Sequence, residues 1–436
     1  MSDQLKEDIA QQMTAARVDT LRLFDLVEEK HLHDSPGFGF RPIIWHLAHI
    51  GVFEAYWLIQ KLEGKCAPDE RYERIFDPIN TPREESKNLP TRAEMEAFLT
   101  RVREQVFDYL GSAGFETNDR FLCDAYVFRL VLEHEYQHQE TLTYLLHMLD
   151  PSLKTNSEQK EGRGGSVSSK SFSAAREMVL VDAGPFEKGS IWGSFAYDNE
   201  LPAYTIDLPA FRIDRLLTTN EEYAHFVDER GYETREWWSD EGWEWRRQES
   251  WTCPLYWSND GESWRIQTLF EDKVWEPEHP VAGVSWYEAD AYARFMNKRL
   301  PTESEWEKAA SWDSTTNRKR RFAWGNQEPT SLLCNFHAQF LGTTAVGSFP
   351  DGASGYGVLD MTGNVWEWTS DSFAGYPEFK YFPYPEYSEI WFDGDHRVLK
   401  GGSWATRAPI LRTSFRNFFR RHFRIAFAGI RLAEDV

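Results

Sequence analysis

The run Val131-Leu-Glu-His-Glu-Tyr-Gln-His-Gln-Glu140 holds the residues best placed to do chemistry. His134 and His138 stand four apart. On a helix that spacing sets two imidazoles roughly 40° apart around the axis and about 6 Å apart along it, so both can turn to one metal ion. Glu140 completes a His-x-x-x-His-x-Glu string, but it lies roughly 200° around from His138, on nearly the opposite face. Gln137 lies about 60° from His134, where its amide can meet a ligand beside the metal. Further imidazoles occur in Trp45-His-Leu-Ala-His-Ile50, as His46 and His49. In a helical bundle, ligands on facing helices project into one site, so one or both of these can complete the set. Imidazole suits iron, zinc, copper or nickel, and softness alone does not choose among them. A His pair at this spacing is, by itself, more often a surface feature; four histidines on two facing helices favour a metal. His31, His33 and His147 lack such a geometry and read as structural or exposed.

The elements that must position these residues are helical. Apolar residues recur at helical spacing near residues 4–30, 42–63, 91–111 and 119–149. Pro42 sits where a first-turn proline belongs, and Thr91 with Glu94 forms a capping pair. Four such helices bury one core as a bundle, giving a first domain over residues 1–150. Residues 63–90 carry Pro68, Pro78, Pro82 and Pro90 and read as a long irregular connection of the kind that often has a function. Residues 151–176 are rich in Gly, Ser and charge and read as a linker. From 177 to 436 short strand-like runs, Met178-Val-Leu-Val-Asp-Ala-Gly184 and Phe211-Arg-Ile-Asp-Arg-Leu-Leu217 among them, alternate with turn signals. Helical stretches there are few, near 218–230, 285–298 and 302–311. This second domain is α+β with much irregular backbone, so the fold class is α plus α+β.

Composition narrows the function classes. The 436 residues include 48 Lys and Arg against 70 Asp and Glu, a net charge of −22, which disfavours nucleic-acid and acidic-membrane partners. No apolar run approaches the ~20 residues of a spanning helix, and the polar N-terminus is unlike a targeting peptide. The four cysteines, Cys66, Cys123, Cys253 and Cys334, are scattered, as in a reducing, cytoplasmic setting, and form no thiolate zinc pattern. Nineteen tryptophans point to a body packed by indoles.

Several segments resemble a known family. Trp45-His-Leu-Ala-His-Ile-Gly-Val-Phe-Glu-Ala-Tyr-Trp-Leu58 and His134-Glu-Tyr-Gln-His-Gln-Glu-Thr141 are similar to DinB-like bundles. The stretches Val181–Ser190, His279–Ala310, Asp360–Asp371 and Arg397–Arg407 resemble formylglycine-generating-enzyme-like, C-type-lectin-like domains. Together they look like the ergothioneine-type sulfoxide synthases, the EgtB family, whose members are non-haem iron enzymes that join a thiol to N-methylated histidine. The resemblance implies iron(II) held by His49, His134 and His138, with His46 and Glu140 outside the ligand set. It implies Gln137 on the substrate imidazole, Tyr384 as the active-site tyrosine and Tyr387 lining the trimethylammonium pocket. Asn417 and Phe418 match an Asn-Trp pair that contacts the betaine; the Phe keeps an aromatic face without the indole donor. Arg83 and Lys87 are candidates for the carboxylate of the thiol, and Arg420 for a substrate carboxylate. The acidic residue and arginine that recognise γ-glutamylcysteine in actinobacterial members are replaced by Phe419 and Phe423, which favours cysteine as the sulfur donor.

The reaction implied is O2-dependent C–S bond formation on hercynine (trimethylhistidine), giving a sulfoxide. Three neutral imidazoles leave positions for a thiolate, an imidazole and O2, and a phenol proton from Tyr384 separates sulfoxide synthesis from oxidation of the thiol alone. Aromatic walls suit the quaternary ammonium. Within this chemistry, selenoneine synthesis with a selenosugar donor and ovothiol-type synthesis on unmethylated histidine compete. Formylglycine generation needs a late reactive cysteine pair, and no Cys follows Cys334. A non-catalytic lectin-like binder would hold no redox metal. The partners implied are small molecules, with no obligate protein partner. The tryptophans of Gly363-Asn-Val-Trp-Glu-Trp368 and Trp404, with Gly401 and Gly402, read as fold determinants.

Overall fold

The computed structural model describes residues 2–37, 40–154, 177–191, 193 and 195–436. Most of the expected linker, residues 155–176, lies outside them. The chain divides into two compact units, one helical and one built on small sheets.

The helical unit is a bundle of α1 (Ser2–Phe24), α2 (Trp45–Glu54), α3 (Arg92–Ser112) and α4 (Tyr126–Met148). Its ends differ from the expectation in physical detail. Pro42 is not in the first turn of α2: the helix begins at Trp45, and the Pro42 carbonyl accepts the Trp45 N–H at 3.0 Å in a preceding turn. After Glu54 the chain continues as a π-helix, Ala55–Glu63, closed by Gly64 in the left-handed region. α4 starts at 126 rather than 119, because Asp124 and Ala125 both adopt positive φ and break any earlier helix. Thr91 and Glu94 form the reciprocal cap expected at the start of α3. Residues 64–90 hold a short helix, Arg71–Ile75, and a tight turn, Arg83–Glu85.

A buried ion cluster takes one residue from each bundle helix. Arg17 of α1 bonds Glu54 of α2 and Glu135 of α4, each at 2.8 Å. Arg103 of α3 bonds the same two carboxylates at 2.7 and 3.3 Å. Thr20 adds a hydroxyl to Glu135 at 2.8 Å. Glu54 is fully buried, and a buried charge is tolerable only when paired and hydrogen-bonded. The cluster therefore fixes how the four helices register. Close approach of α2 to α3 is permitted by Gly51, where a Cβ would fall 2.4 Å from Leu99.

In the second unit β1 (Met178–Val181) pairs antiparallel with β2 (Phe211–Asp214), which also pairs with the terminal strand Ala433–Asp435. The principal sheet contains β3 (Trp366–Ser372), β4 (His396–Lys400) and β5 (Asn417–Arg420), antiparallel in turn, with Ala428–Gly429 parallel to β3. Helices Asn220–Asp228, Trp286–Phe295 and Glu303–Ser311 occupy the three expected stretches, each opened by a Thr or Ser capping box. A further helix, Asp240–Gln248, was hidden in a Trp- and charge-rich run. Trp306, Trp366, Trp368 and Trp404 are buried. Trp306 donates to Glu367 at 2.8 Å, and Glu367 also holds the fully buried Arg431. Gly402 has φ +83, and a Cβ there would meet Leu411 at 2.3 Å. These residues thus act as fold determinants.

Removing one member of a buried ion cluster strands the others, at a cost of about 3–5 kcal/mol. Arg103→Leu should therefore lower unfolding free energy by about that much in chemical denaturation. Arg215→Leu, which breaks the exposed pair with Glu177, should cost about 0–1 kcal/mol. Equal effects would contradict a structural role for the cluster.

Candidate metal centre and aromatic pocket residues

The inward face of α2 presents His49, and successive turns of α4 present His134 and His138. One ring nitrogen from each lies within 4.8 Å of the others, and among the described residues these three form the cluster able to hold a metal ion. Glu140 is not part of it, in line with its helical angle. His31 faces Asp34 near the chain's start and His147 is buried further along α4; neither joins the cluster.

Each imidazole is held by its surroundings. His49 Nδ1 meets the Phe76 carbonyl at 2.9 Å, so that nitrogen carries the proton and Nε2 faces away as a lone-pair donor. His138 Nδ1 lies 3.0 Å from His46 Nδ1, which places His46 as a neighbour that orients a cluster member. The His134 ring stacks on Phe53 at 3.7 Å and 12°. Its Nδ1 is buried with no hydrogen-bond partner among the described residues. An orphaned buried nitrogen beside two further imidazoles fits a metal ion, which would satisfy it.

Burial dominates the electrostatics. It pushes the pKa of His46 down to about 3 and that of His49 to about 4, with the Arg41 charge acting in the same direction. His134 and His138 are also driven well below the ordinary imidazole range, first by burial and then by neighbouring imidazoles. All four rings are neutral at physiological pH, the form that ligates metal.

A layered stack backs the cluster. Trp45 lies face to face on His49 at 4.5 Å, and the Arg41 guanidinium lies over Trp45 at 4.6 Å. Arg41 donates to Ser86 and to the Thr81 carbonyl, both at 2.6 Å. Ser86 is buried between the exposed side chains of Arg83 and Lys87. The long irregular connection is therefore tied to the back of His49. Trp45 and Phe53 could have been read from their positions four before and four after His49, on the same helix face; Arg41 and Phe76 carry no comparable sequence signal. Gln137 is half-buried on α4. Its neighbour Gln139 faces α1 and donates to the Ala16 carbonyl at 2.8 Å.

In the second unit the expected tyrosines lie on a turn, Pro385–Tyr387, and its flanks. Tyr384 and Tyr387 meet edge to face with centroids 6.3 Å apart. Tyr387 stacks on Tyr197 at 4.2 Å and meets Phe418 edge-on at 6.5 Å. Phe418 stacks on Phe373 at 4.0 Å. Tyr384, Tyr387 and Phe418 are thus brought into one aromatic group, and Tyr197 and Phe373 are members that sequence reading missed. Burial, reinforced by the Asp198 carboxylate, raises the Tyr384 phenol far above its usual range, so it keeps its proton. Asn417 Oδ1 accepts the Phe418 N–H at 3.0 Å at the start of β5. Arg420 is drawn into half-exposed ion pairs with Asp393 and Asp395. Phe419 and Phe423 stack on each other at 4.5 Å.

Comparison with known proteins agrees with this architecture. Residues 12–142 match the DinB superfamily, and residues 165–436 match the sulfatase-modifying factor enzyme 1-like domain. The chain is 39% identical to a hercynine oxygenase of Mycolicibacterium thermoresistibile, over 99% of this chain and 95% of that protein. It is 37% identical to a hercynine oxygenase of Mycolicibacterium smegmatis over 99% of both. A formylglycine-generating enzyme of Mycobacterium tuberculosis is 31% identical, over 48% of this chain and 77% of its own length. With both domains matched and the likeness running end to end, the chain belongs to the EgtB-type family of oxidoreductases that these hercynine oxygenases represent.

Proposed function

We propose that the protein catalyses iron(II)- and O2-dependent C–S bond formation between hercynine and a thiol, with cysteine as the donor and a sulfoxide as the product. Three neutral imidazoles with a ring nitrogen of each within 4.8 Å of the others, one of the rings bearing a buried unsatisfied nitrogen, carry this reading; the full-length likeness to hercynine oxygenases supports it. His49, His134 and His138 hold the metal, and His46 and Phe76 orient two of them from behind. Bound there, iron(II) supplies the redox chemistry with O2. The chain's own residues do the rest. Tyr384 retains a proton at neutral pH and delivers it as a general acid. Tyr387 and Phe418 offer aromatic faces suited to a trimethylammonium group, and Asn417 and Gln137 offer amides to the betaine. Arg83, Lys87 and Arg420 offer cations to substrate carboxylates, with Arg420 first released from Asp393 and Asp395. Phe419 and Phe423 stack on each other, aromatic rings at the two positions where an acid and an arginine would serve γ-glutamylcysteine, which favours cysteine.

The direct test is mass spectrometry of the products formed from hercynine, O2 and iron(II) with cysteine, γ-glutamylcysteine or a selenosugar. Hercynyl-cysteine sulfoxide is expected as the major product. A selenium-linked product in preference to it would assign the selenoneine reaction instead, and turnover of unmethylated histidine in preference to hercynine the ovothiol-type one.

Metal analysis of anaerobically purified His138→Ala should show loss of iron in a folded protein, whereas Glu140→Gln should keep it. Stoichiometric iron in His138→Ala would remove that ligand. Tyr384→Phe should bind hercynine normally, lose sulfoxide formation by about 10²–10⁴-fold, and divert thiol to sulfinic acid. An unchanged product ratio would exclude Tyr384 as the proton donor.

The buried imidazoles also set a pH dependence for the metal-free protein. An unfolded chain takes up protons near the ordinary imidazole pKa of about 6.5; the folded rings, at about 3 and about 4 for His46 and His49, do not. Stability should therefore fall as pH drops from about 6.5 toward 4. Denaturant melts of chelator-treated protein should show that fall, and it should be smaller in His134→Asn. An identical pH slope in the variant would contradict the assigned burial effect.

A further inference from the structure

One short turn holds together the segments that carry the aromatic group. Asp198, Asn199 and Glu200 form a single 3-10 turn, and all three are buried. One carboxylate oxygen of Asp198 accepts the Ser388 hydroxyl, and the other accepts the Phe382 N–H at 3.2 Å. These two contacts bracket Tyr384 and Tyr387 on either side. Asn199 adds a side-chain bond to the Ser388 hydroxyl at 3.0 Å. The same turn reaches the segment leading into β5. Glu200 accepts from Arg412 at 2.6 Å and from Ser414 at 2.6 Å, while the Asn199 carbonyl accepts from Arg416 at 2.8 Å. Arg416 immediately precedes Asn417 and Phe418. Tyr197, just before the turn, supplies the ring on which Tyr387 stacks.

A carboxylate this well enclosed is an expensive group to place. Burial pushes Asp198 up to about 6 despite its hydrogen bonds, and an apolar or amide side chain would avoid that cost. Retaining an acid here makes sense if both oxygens are needed as acceptors. The bracketed loop Phe382–Ser388 contains only one-turn helical structure at Pro385–Tyr387, and the contacts from Asp198 anchor it at both ends.

We propose that Asp198 is a positioning residue for the reaction, latching the Phe382–Ser388 loop through Ser388 so that Tyr384 is held in one productive direction. This rests on Tyr384 being the proton donor, as argued above. Asp198 acts through the loop rather than on the substrate, and Ser388→Ala, which leaves the carboxylate in place, separates this from the effect of its charge on Tyr384. Glu200 performs the matching task for the strand of Asn417 and Phe418, so one turn sets the spacing of the two segments.

The test uses the full chain with Asp198→Asn, Ser388→Ala and Ser388→Thr, each alone and the first two also in the Tyr384→Phe background. A 3-fluorotyrosine installed at 384 reports loop order in metal-free protein by fluorine NMR. Wild type should give one resonance; Asp198→Asn and Ser388→Ala should shift or split it, and Ser388→Thr, which keeps the hydroxyl, should restore it. With iron(II), hercynine, cysteine and O2, the first two variants should lose about 10–100-fold in kcat for sulfoxide, the scale expected for misplacement by about 1 Å. KM for hercynine should stay within about twofold, and the product ratio should move toward sulfinic acid. In the Tyr384→Phe background neither change should move the ratio further. An unaltered resonance and ratio in both Asp198→Asn and Ser388→Ala, with Tyr384→Phe still shifting the ratio, would overturn the latch while sparing the tyrosine assignment. A ratio unchanged by Tyr384→Phe would overturn that assignment and the latch's catalytic role with it.

Discussion

Everything in the helical unit depends on two buried carboxylates, Glu54 and Glu135, sharing two arginines, Arg17 and Arg103. Neither acid could be buried alone. Because each of the four partners comes from a different helix, the helices can slide or rotate only by breaking charged hydrogen bonds in a dry interior, where such losses are severe. Glu135 adjoins His134, and Glu54 lies a little over one turn beyond His49. On α4 Glu135 lies about 100° around the axis from His134 and about 60° from His138, and on α2 Glu54 lies about 140° from His49. Fixing the rotation of both helices through these carboxylates also fixes the directions in which the three imidazoles point.

The second unit applies the same device to a fold with little regular structure. Glu367 gathers Trp306 and Arg431, Glu303 gathers Lys188 and Arg416, and Glu200 gathers Arg412 and Ser414. Long irregular segments lack the repetitive backbone hydrogen bonding that stiffens helices and sheets. Buried ion pairs and carboxylate hydrogen bonds replace it at the points where direction matters, including the loop and strand that bear Tyr384, Tyr387, Asn417 and Phe418. Aromatic stacking then fills the space between: Tyr197 on Tyr387 and Phe373 on Phe418.

How much of this was legible in the sequence follows from range. Residues on one helix turn obey fixed angles, so the pairing of His134 with His138 and the exclusion of Glu140 could be read directly. The capping pair Thr91–Glu94 is equally local. The α2 boundary was misread at Pro42 because proline favours a helix start without specifying which of two successive turns becomes helical. The start of α4 was misplaced because Asp124 and Ala125 adopt left-handed backbone, which no local pattern announces. Arg41, Phe76, Asp198 and Glu200 were invisible for a different reason. Their hydrogen-bond partners described above lie 27–214 positions away in sequence, and long-range pairing leaves no periodicity. The resemblance to a known family supplied the tyrosines and the Asn-Phe pair; the structure supplies what holds them.

X-ray absorption at the iron edge of anaerobically loaded protein, without substrates, tests most directly whether three neutral imidazoles hold the metal. The account predicts one iron per chain and the multiple scattering of three imidazole rings, the remaining positions filled by water. A ligand shell with a protein carboxylate in place of one imidazole, or with only two imidazoles, would contradict it.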